Sequence, residues 1–178
     1  MAEDTSGASQ ASNGQQPPAD DGAQDRREDL RLEINTQYVK DLSFENPNAP
    51  LIFTETNVSP ELEVQIDVAT NRLQERVFES VLKTRIVAKF KDKVAFLVEL
   101  EYAGLITLGS GIPESDFPPL LQIEAPRHLF PFARAILSNA TRDGGFPPLL
   151  INPVDFGELY LRKQQAAAKA AEAAAEHA

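Results

Sequence analysis

The sequence predicts an α+β chain: a four-stranded antiparallel sheet first, two helices last. Three observations predict it. Four segments between residues 30 and 108 alternate apolar and polar side chains with period two. Apolar residues recur at helical spacing after residue 127, and a helix-start pattern follows near 152. Both flanks have little to bury, so one domain holds all six elements.

In "LRLEINTQY", Leu30, Leu32, Ile34 and Tyr38 point one way, with Arg31, Glu33, Asn35 and Gln37 the other. "ELEVQIDVAT" sets Leu62, Val64, Ile66 and Val68 against Glu61, Glu63, Gln65 and Asp67. "VFESVLKTRIVAKF" sets Phe78, Leu82, Ile86 and Phe90 against Glu79, Lys83, Arg85 and Lys89. In "VAFLVELEYAGLITL", Val94, Phe96, Val98, Leu100 and Tyr102 oppose Leu97, Glu99 and Glu101. Strands with one apolar face make an antiparallel sheet covered on one side and wet on the other. "KDK" at 91–93 predicts a tight hairpin. The link 43–60 is too long and apolar for a turn, so it crosses over or packs on the sheet.

"GSGIPESDFPPLLQIEAP" reads as a Pro/Gly-rich connector. "HLFPFARAILSNATR" reads as a helix with Leu129, Phe132 or Ala133, Ile136 and Ala140 on one face, Pro131 in its first turn and "DGG" ending it. "INPVDFGELY" starts the second helix, with Asn152 as N-cap, Pro153 at N1 and Asp155 in the first turn. Phe130, Phe132 and Leu137 widen the apolar stripe of the first helix, and Leu97 and Leu105 interrupt the acidic face of the fourth strand. Surplus apolar surface in a small domain points to an oligomer interface or a binding groove.

Residues 1–29 are polar and acidic, with seven acids and two arginines, and read as a disordered tail. Residues 30–162 form the folded unit. The Ala-rich tail, 163–178, favours helix but has no apolar stripe. The net charge of −10 favours basic partners over phosphate backbones, so no nucleic acid is expected. The zero cysteine count fits a reducing cytoplasm. No signal-like segment opens the chain, and "VAFLVELEYAGLITLG" is too short and too charged to span a bilayer.

Chemistry is scarce. His128 and His177 are the two histidines, far apart in sequence, which argues against a metal site and against a Ser-His pair. "GSGIPE" places Glu114 where a dinucleotide loop needs its third glycine, and no phosphate-loop lysine is present. No cofactor and no catalytic residue is expected. Lys83, Arg85, Lys89, Lys91 and Lys93 read as protection of a strand face or edge.

"YVKDLSFENPNAP" (38–50) and "LFPFAR…GGFPPLLINPVDFGELY" (129–160) carry a resemblance to the SecB family, the ATP-independent bacterial protein-export chaperones, over about residues 30–162. The resemblance implies a homotetramer built as a dimer of dimers. It implies holding non-native precursor proteins in a translocation-competent state and delivering them to the SecA motor. By the same resemblance, SecA docks on Asp41, Glu45, Leu97 and Glu99, and Phe96, Val98, Leu100 and Tyr102 serve tetramer assembly. Val98 and Tyr102 stand where some relatives carry cysteine and glutamine. Phe44, Phe53, Phe156 and Tyr160 are the candidates for lining the client groove. The competing expectation is an oligomeric adaptor for one folded partner, without chaperone activity.

Overall fold

The structure, a computed structural model, describes residues 29–54 and 60–176. The N-terminal tail up to residue 28 and His177 lie outside the described residues. Four strands, β1 (Leu32–Glu45), β2 (Glu61–Arg72), β3 (Val77–Phe90) and β4 (Lys93–Leu108), form one antiparallel sheet in the order β1-β4-β3-β2. The crossover from β1 to β2 therefore runs from one sheet edge to the other. It makes a 3-10 turn at Leu51–Thr54 whose Ile52 is buried. The β3–β4 hairpin closes through Lys91 and Asp92, with Lys91 in the left-handed region at φ 54°.

The alternation holds in β2 and β3, and in β4 from Phe96 onward. In β3 and β4 the even-numbered residues Leu82, Ile86, Val98, Leu100 and Ile106 face the helices and are buried. On β2 Val68 is buried but Leu62 and Val64 are exposed. A register shift between Ala88 and Lys89 inserts Ala95 and sets Val94 opposite Lys89. β1 departs from the alternation too. Register shifts between Ile34 and Thr36 and between Val39 and Asp41 insert a residue at Asn35 and at Lys40. Tyr38 pairs with Ala103 and faces outward, against the expected apolar face, and Val39 turns inward opposite Tyr102. A second insertion restores the original parity, so Leu42 and Phe44 face inward opposite Leu100 and Val98.

The segment expected as an open connector is helical from Glu114 onward. A 3-10 turn (Glu114–Asp116), a short α turn (Phe117–Pro119) and a π turn (Leu120–Glu124) lead directly into helix α1 (Ala125–Asp143). Prolines 118 and 119 sit at the start of the short α turn, where a missing N–H is tolerated. The π turn has a local cause. The Ala125 N–H reaches back to the Leu120 carbonyl. The Leu121 carbonyl then faces Pro126, which has no N–H to give. Buried Ser80 supplies the missing donor, its Oγ donating to Leu121 O at 3.0 Å. Because α1 starts early, Pro131 lies inside the helix rather than in its first turn.

α1 ends at the predicted glycines. The N–H groups of Gly144, Gly145 and Phe146 donate to the carbonyls of Ala140, Arg142 and Thr141, and Gly145 adopts φ 89°. Thr141 Oγ1 accepts from the Leu149 N–H at 3.0 Å and so holds the following turn.

Helix α2 (Phe156–Glu176) is capped by Asp155, not by Asn152. Asp155 Oδ1 accepts from the Glu158 N–H at 3.0 Å. Asp155 stands directly before the first helical residue, whereas Asn152 lies three residues upstream in irregular chain. α2 continues unbroken into the Ala-rich tail, exposed beyond Leu161 except that Lys163 Nζ donates to Asp67 Oδ1 and to the Val68 carbonyl of β2.

The core lies between the inner sheet face and α1. Leu82, Ile86, Val98 and Leu100 meet Leu129, Ala133 and Leu137 there, with Phe156 of α2 completing the layer. A second cluster, Phe78, Ile106, Leu108, Ile112, Phe117 and Leu121, anchors the helical lead-in.

Candidate functional site

Two surfaces carry the expected residues. On the outer face, side chains line up as rungs across β1-β4-β3-β2. One rung is Asp41, Glu101, Lys83 and Asp67; the next is Ser43, Glu99, Arg85 and Gln65; the third is Glu45, Leu97, Val87 and Glu63. Asp41, Glu45, Leu97 and Glu99 therefore fall on one face and on neighbouring rungs.

The basic residues of β3 lie mid-sheet and neutralise part of this face. Lys83 Nζ meets Glu101 at 2.6 Å, Arg85 Nε meets Glu99 at 2.8 Å and Lys89 Nζ meets Glu63 at 2.5 Å. Hydrogen bonding to Glu101 raises the Lys83 pKa above its ordinary value. Asp41 and Glu45 are exposed and form no ion pair among the described residues. Unneutralised carboxylates beside an apolar Leu97 suit a basic partner with an apolar anchor. Exposed rungs of this kind add little to stability.

One acidic residue of this face is different. Glu79 is only 7% exposed. Its carboxylate accepts from Tyr38 Oη at 2.5 Å, from Lys40 Nζ at 2.8 and 2.9 Å, and from Asn71 Nδ2 at 2.8 Å. Those donors, Lys40 first, hold its pKa at about 2. The same bond raises the Tyr38 pKa. Both partners from β1 reach across β4, over Ala103, whose methyl is buried although it faces outward.

The second surface lies at the sheet end where the crossover meets the turn after α1. Phe44 stacks on Phe96 with centroids 5.7 Å apart, Phe96 meets Phe146 at 4.9 Å and Phe146 meets Phe53 at 5.2 Å. The Gly-Gly pair makes this approach feasible. A Cβ on Gly144 would lie 2.2 Å from Phe44 Cζ, and Gly145 places its backbone beside Phe53 in a conformation other residues resist. Phe53 remains 49% exposed, and Leu51 and Leu150 are more exposed still.

Of the four candidate lining residues, Phe44 and Phe53 join this aromatic row. Tyr160 is half-buried on α2. Phe156 is 1% exposed and packs edge-on against Phe130, so it is a core residue in this state. Phe146 was missed by sequence reasoning; its signal was the two glycines before it, which imply a close approach.

Phe96, Val98, Leu100 and Tyr102 face inward beneath α1 and are 0–7% exposed. Their partners are in the same chain. Tyr102 lies next to an open surface, stacking on Phe132 at 6.4 Å, and Phe132 is 52% exposed, while Phe96 joins the aromatic row at the sheet end. Among the described residues, no group of three or more His, Cys, Asp or Glu is placed to hold a metal, and no helix is long and apolar enough to cross a membrane.

Comparison with known proteins follows this geometry. The family model for the preprotein translocase subunit SecB matches residues 24–167. The protein-export protein SecB of Parvibaculum lavamentivorans is 51% identical over 144 residues, 81% of this chain and 85% of the relative. That of Rhodospirillum rubrum is 50% identical over 147 residues, 83% of this chain and 89% of the relative. Among solved structures, a SecB-like chaperone of Mycobacterium tuberculosis in complex with an antitoxin peptide superposes with a TM-score of 0.60. It is 14% identical, covers 75% of this chain and 96% of its own, and so supports the fold. The chain belongs to the SecB family of protein-export chaperones.

Proposed function

We propose that this chaperone is an ATP-independent holdase that keeps non-native precursors translocation-competent and passes them to SecA. The observation that carries the reading is the aromatic row at the sheet end, in which buried Phe96 contacts half-buried Phe44 and Phe146, and Phe146 contacts exposed Phe53. Such a row accepts apolar side chains without reading a sequence. Burying one large apolar side chain yields roughly 1.5–3 kcal/mol. Micromolar affinity needs about 8 kcal/mol. After ordering costs, roughly three to five client side chains are required. A segment of about ten residues in extended form spans roughly 33–36 Å and can supply them.

SecA is the partner assigned to Asp41, Glu45, Leu97 and Glu99, whose charge and shared face favour a basic surface with an apolar anchor. Phe96, Val98, Leu100 and Tyr102 serve a homotetramer through the helix they support, since Phe132 on α1 offers exposed apolar surface above Tyr102. The working unit is residues 30–162, flanked by an acidic segment and an Ala-rich one, acting in the cytoplasm without enzymatic chemistry.

The test is light scattering of a chemically unfolded secretory precursor diluted with and without the purified protein, in the absence of nucleotide. The wild-type chain should suppress aggregation near one client per tetramer, and Phe53→Glu should lose suppression while keeping the fold. No suppression by folded wild-type protein would refute the holdase reading.

A further inference from the structure

β1 meets β4 in three successive frames, of which the first and last differ by two residues. Leu32 pairs with Leu108 and Ile34 with Ile106, but after the insertions at Asn35 and Lys40, Leu42 pairs with Leu100 and Glu45 with Leu97. Had the first frame continued, Glu45 would stand opposite Ala95, Ser43 opposite Leu97 and Lys40 opposite Leu100. The two insertions thus slide the last third of β1 by two residues, about 6.8 Å along β4. Loss of only one would flip Asp41, Ser43 and Glu45 to the inner face.

Apolar alternation does not choose between two insertions and none, because Leu32, Ile34, Leu42 and Phe44 face inward in both frames. Tyr38 and Lys40 do distinguish them. With no insertion both would point inward, Lys40 beneath the helices, where an unpaired ammonium is strongly disfavoured. With both insertions they point outward, and both reach Glu79. Glu79 itself needs them: a carboxylate this enclosed, left with Asn71 as its sole partner, would be a buried charge without compensation.

We infer that Glu79 is a positioning residue for the outer face: by pinning Tyr38 and Lys40 outward it fixes both insertions in β1, and so sets Glu45 opposite Leu97 and Ser43 opposite Glu99. The functional half of this inference rests on reading Asp41, Glu45, Leu97 and Glu99 as the SecA-docking face. Glu79 touches no partner; it acts through the register of an edge strand two strands away.

The chain has no cysteine, so engineered pairs are unambiguous register probes. Ser43→Cys with Glu99→Cys reports the frame seen here, because directly paired residues lie about 4.5–5.5 Å apart, within disulfide reach. Ser43→Cys with Leu97→Cys reports the slid frame, which is now a diagonal of about 7–8 Å. In the otherwise native chain the first pair should close on mild oxidation and the second should not. Adding Glu79→Ala should reverse the preference. Lys40→Met, which removes one ligand and keeps the rest, should weaken it in the same direction and serves if Glu79→Ala does not fold. SecA affinity is measured separately in Glu79→Gln without added cysteines and should fall by about tenfold or more. Unchanged cross-linking in folded Glu79→Ala or Lys40→Met would overturn the positioning role. A changed register with unchanged SecA affinity would instead overturn the docking role of this face.

Discussion

The two faces of this sheet share one hydrogen-bond ladder and are built to opposite rules. The inner face is a mainly apolar layer of β3 and β4 residues, with Val68 of β2, sealed by α1 and Phe156. The outer face is a set of charged rungs, mostly half-exposed, with one enclosed carboxylate. The inner face supplies stability through area removed from water. The outer face, where charges cancel only in part, is the surface we propose for recognition, and its exposed pairs cost little to alter. Glu79 is the exception, a residue of the outer face with the energetics of the core.

Breaking the inner face should have the largest effect. Phe156→Ala removes a fully buried ring against Phe130 and should lower unfolding free energy by about 3–5 kcal/mol in a denaturant titration. Acid comes next, through Tyr38, Lys40 and Asn71 around Glu79. The Glu79 pKa falls from an ordinary 4.5 to about 2 in the folded chain, so its stabilisation is complete above about pH 5 and is lost as pH drops through 2. That loss should reach about 2–3 kcal/mol, reduced from the full shift because Lys40 is part-exposed. Stability measured from pH 6 to pH 2.5 should fall less steeply in Glu79→Gln than in the wild-type chain. Asp155→Ala removes the cap of α2 and should cost about 1 kcal/mol. Arg85→Met breaks an exposed rung with Glu99 and should change stability by less than about 1 kcal/mol, sharpening the contrast between the faces.

Where one physical signal dominates, the sequence was easy to read. β3 and β4 alternate regularly from Phe96 onward, so their inward residues were legible, as was the helix end at Gly144–Gly145. Val94 falls out of phase through the insertion at Ala95, and Leu62 and Val64 on the β2 edge stay exposed. β1 was harder because two insertions cancel in parity: Leu32 and Phe44 look in phase although the register has slipped between them. The fate of Tyr38 depended on Glu79, forty-one positions away, which no local pattern reports. The lead-in at 114–124 was masked by its prolines, and the one carbonyl that Pro126 leaves open, that of Leu121, is met by a distant serine. The docking candidates came from family resemblance, and the sheet brings all four onto one face. The groove candidates divided, because a Phe at a helix start serves a core as readily as a groove, and Phe156 went to the core.

The most direct test is the affinity of the full chain for one secretory precursor in two states, measured by titration without nucleotide: held unfolded, and after folding to completion. The account predicts micromolar or tighter binding to the unfolded form and none to the folded form. Equal binding to both states, or preference for the folded one, would contradict it and favour an adaptor for a folded partner.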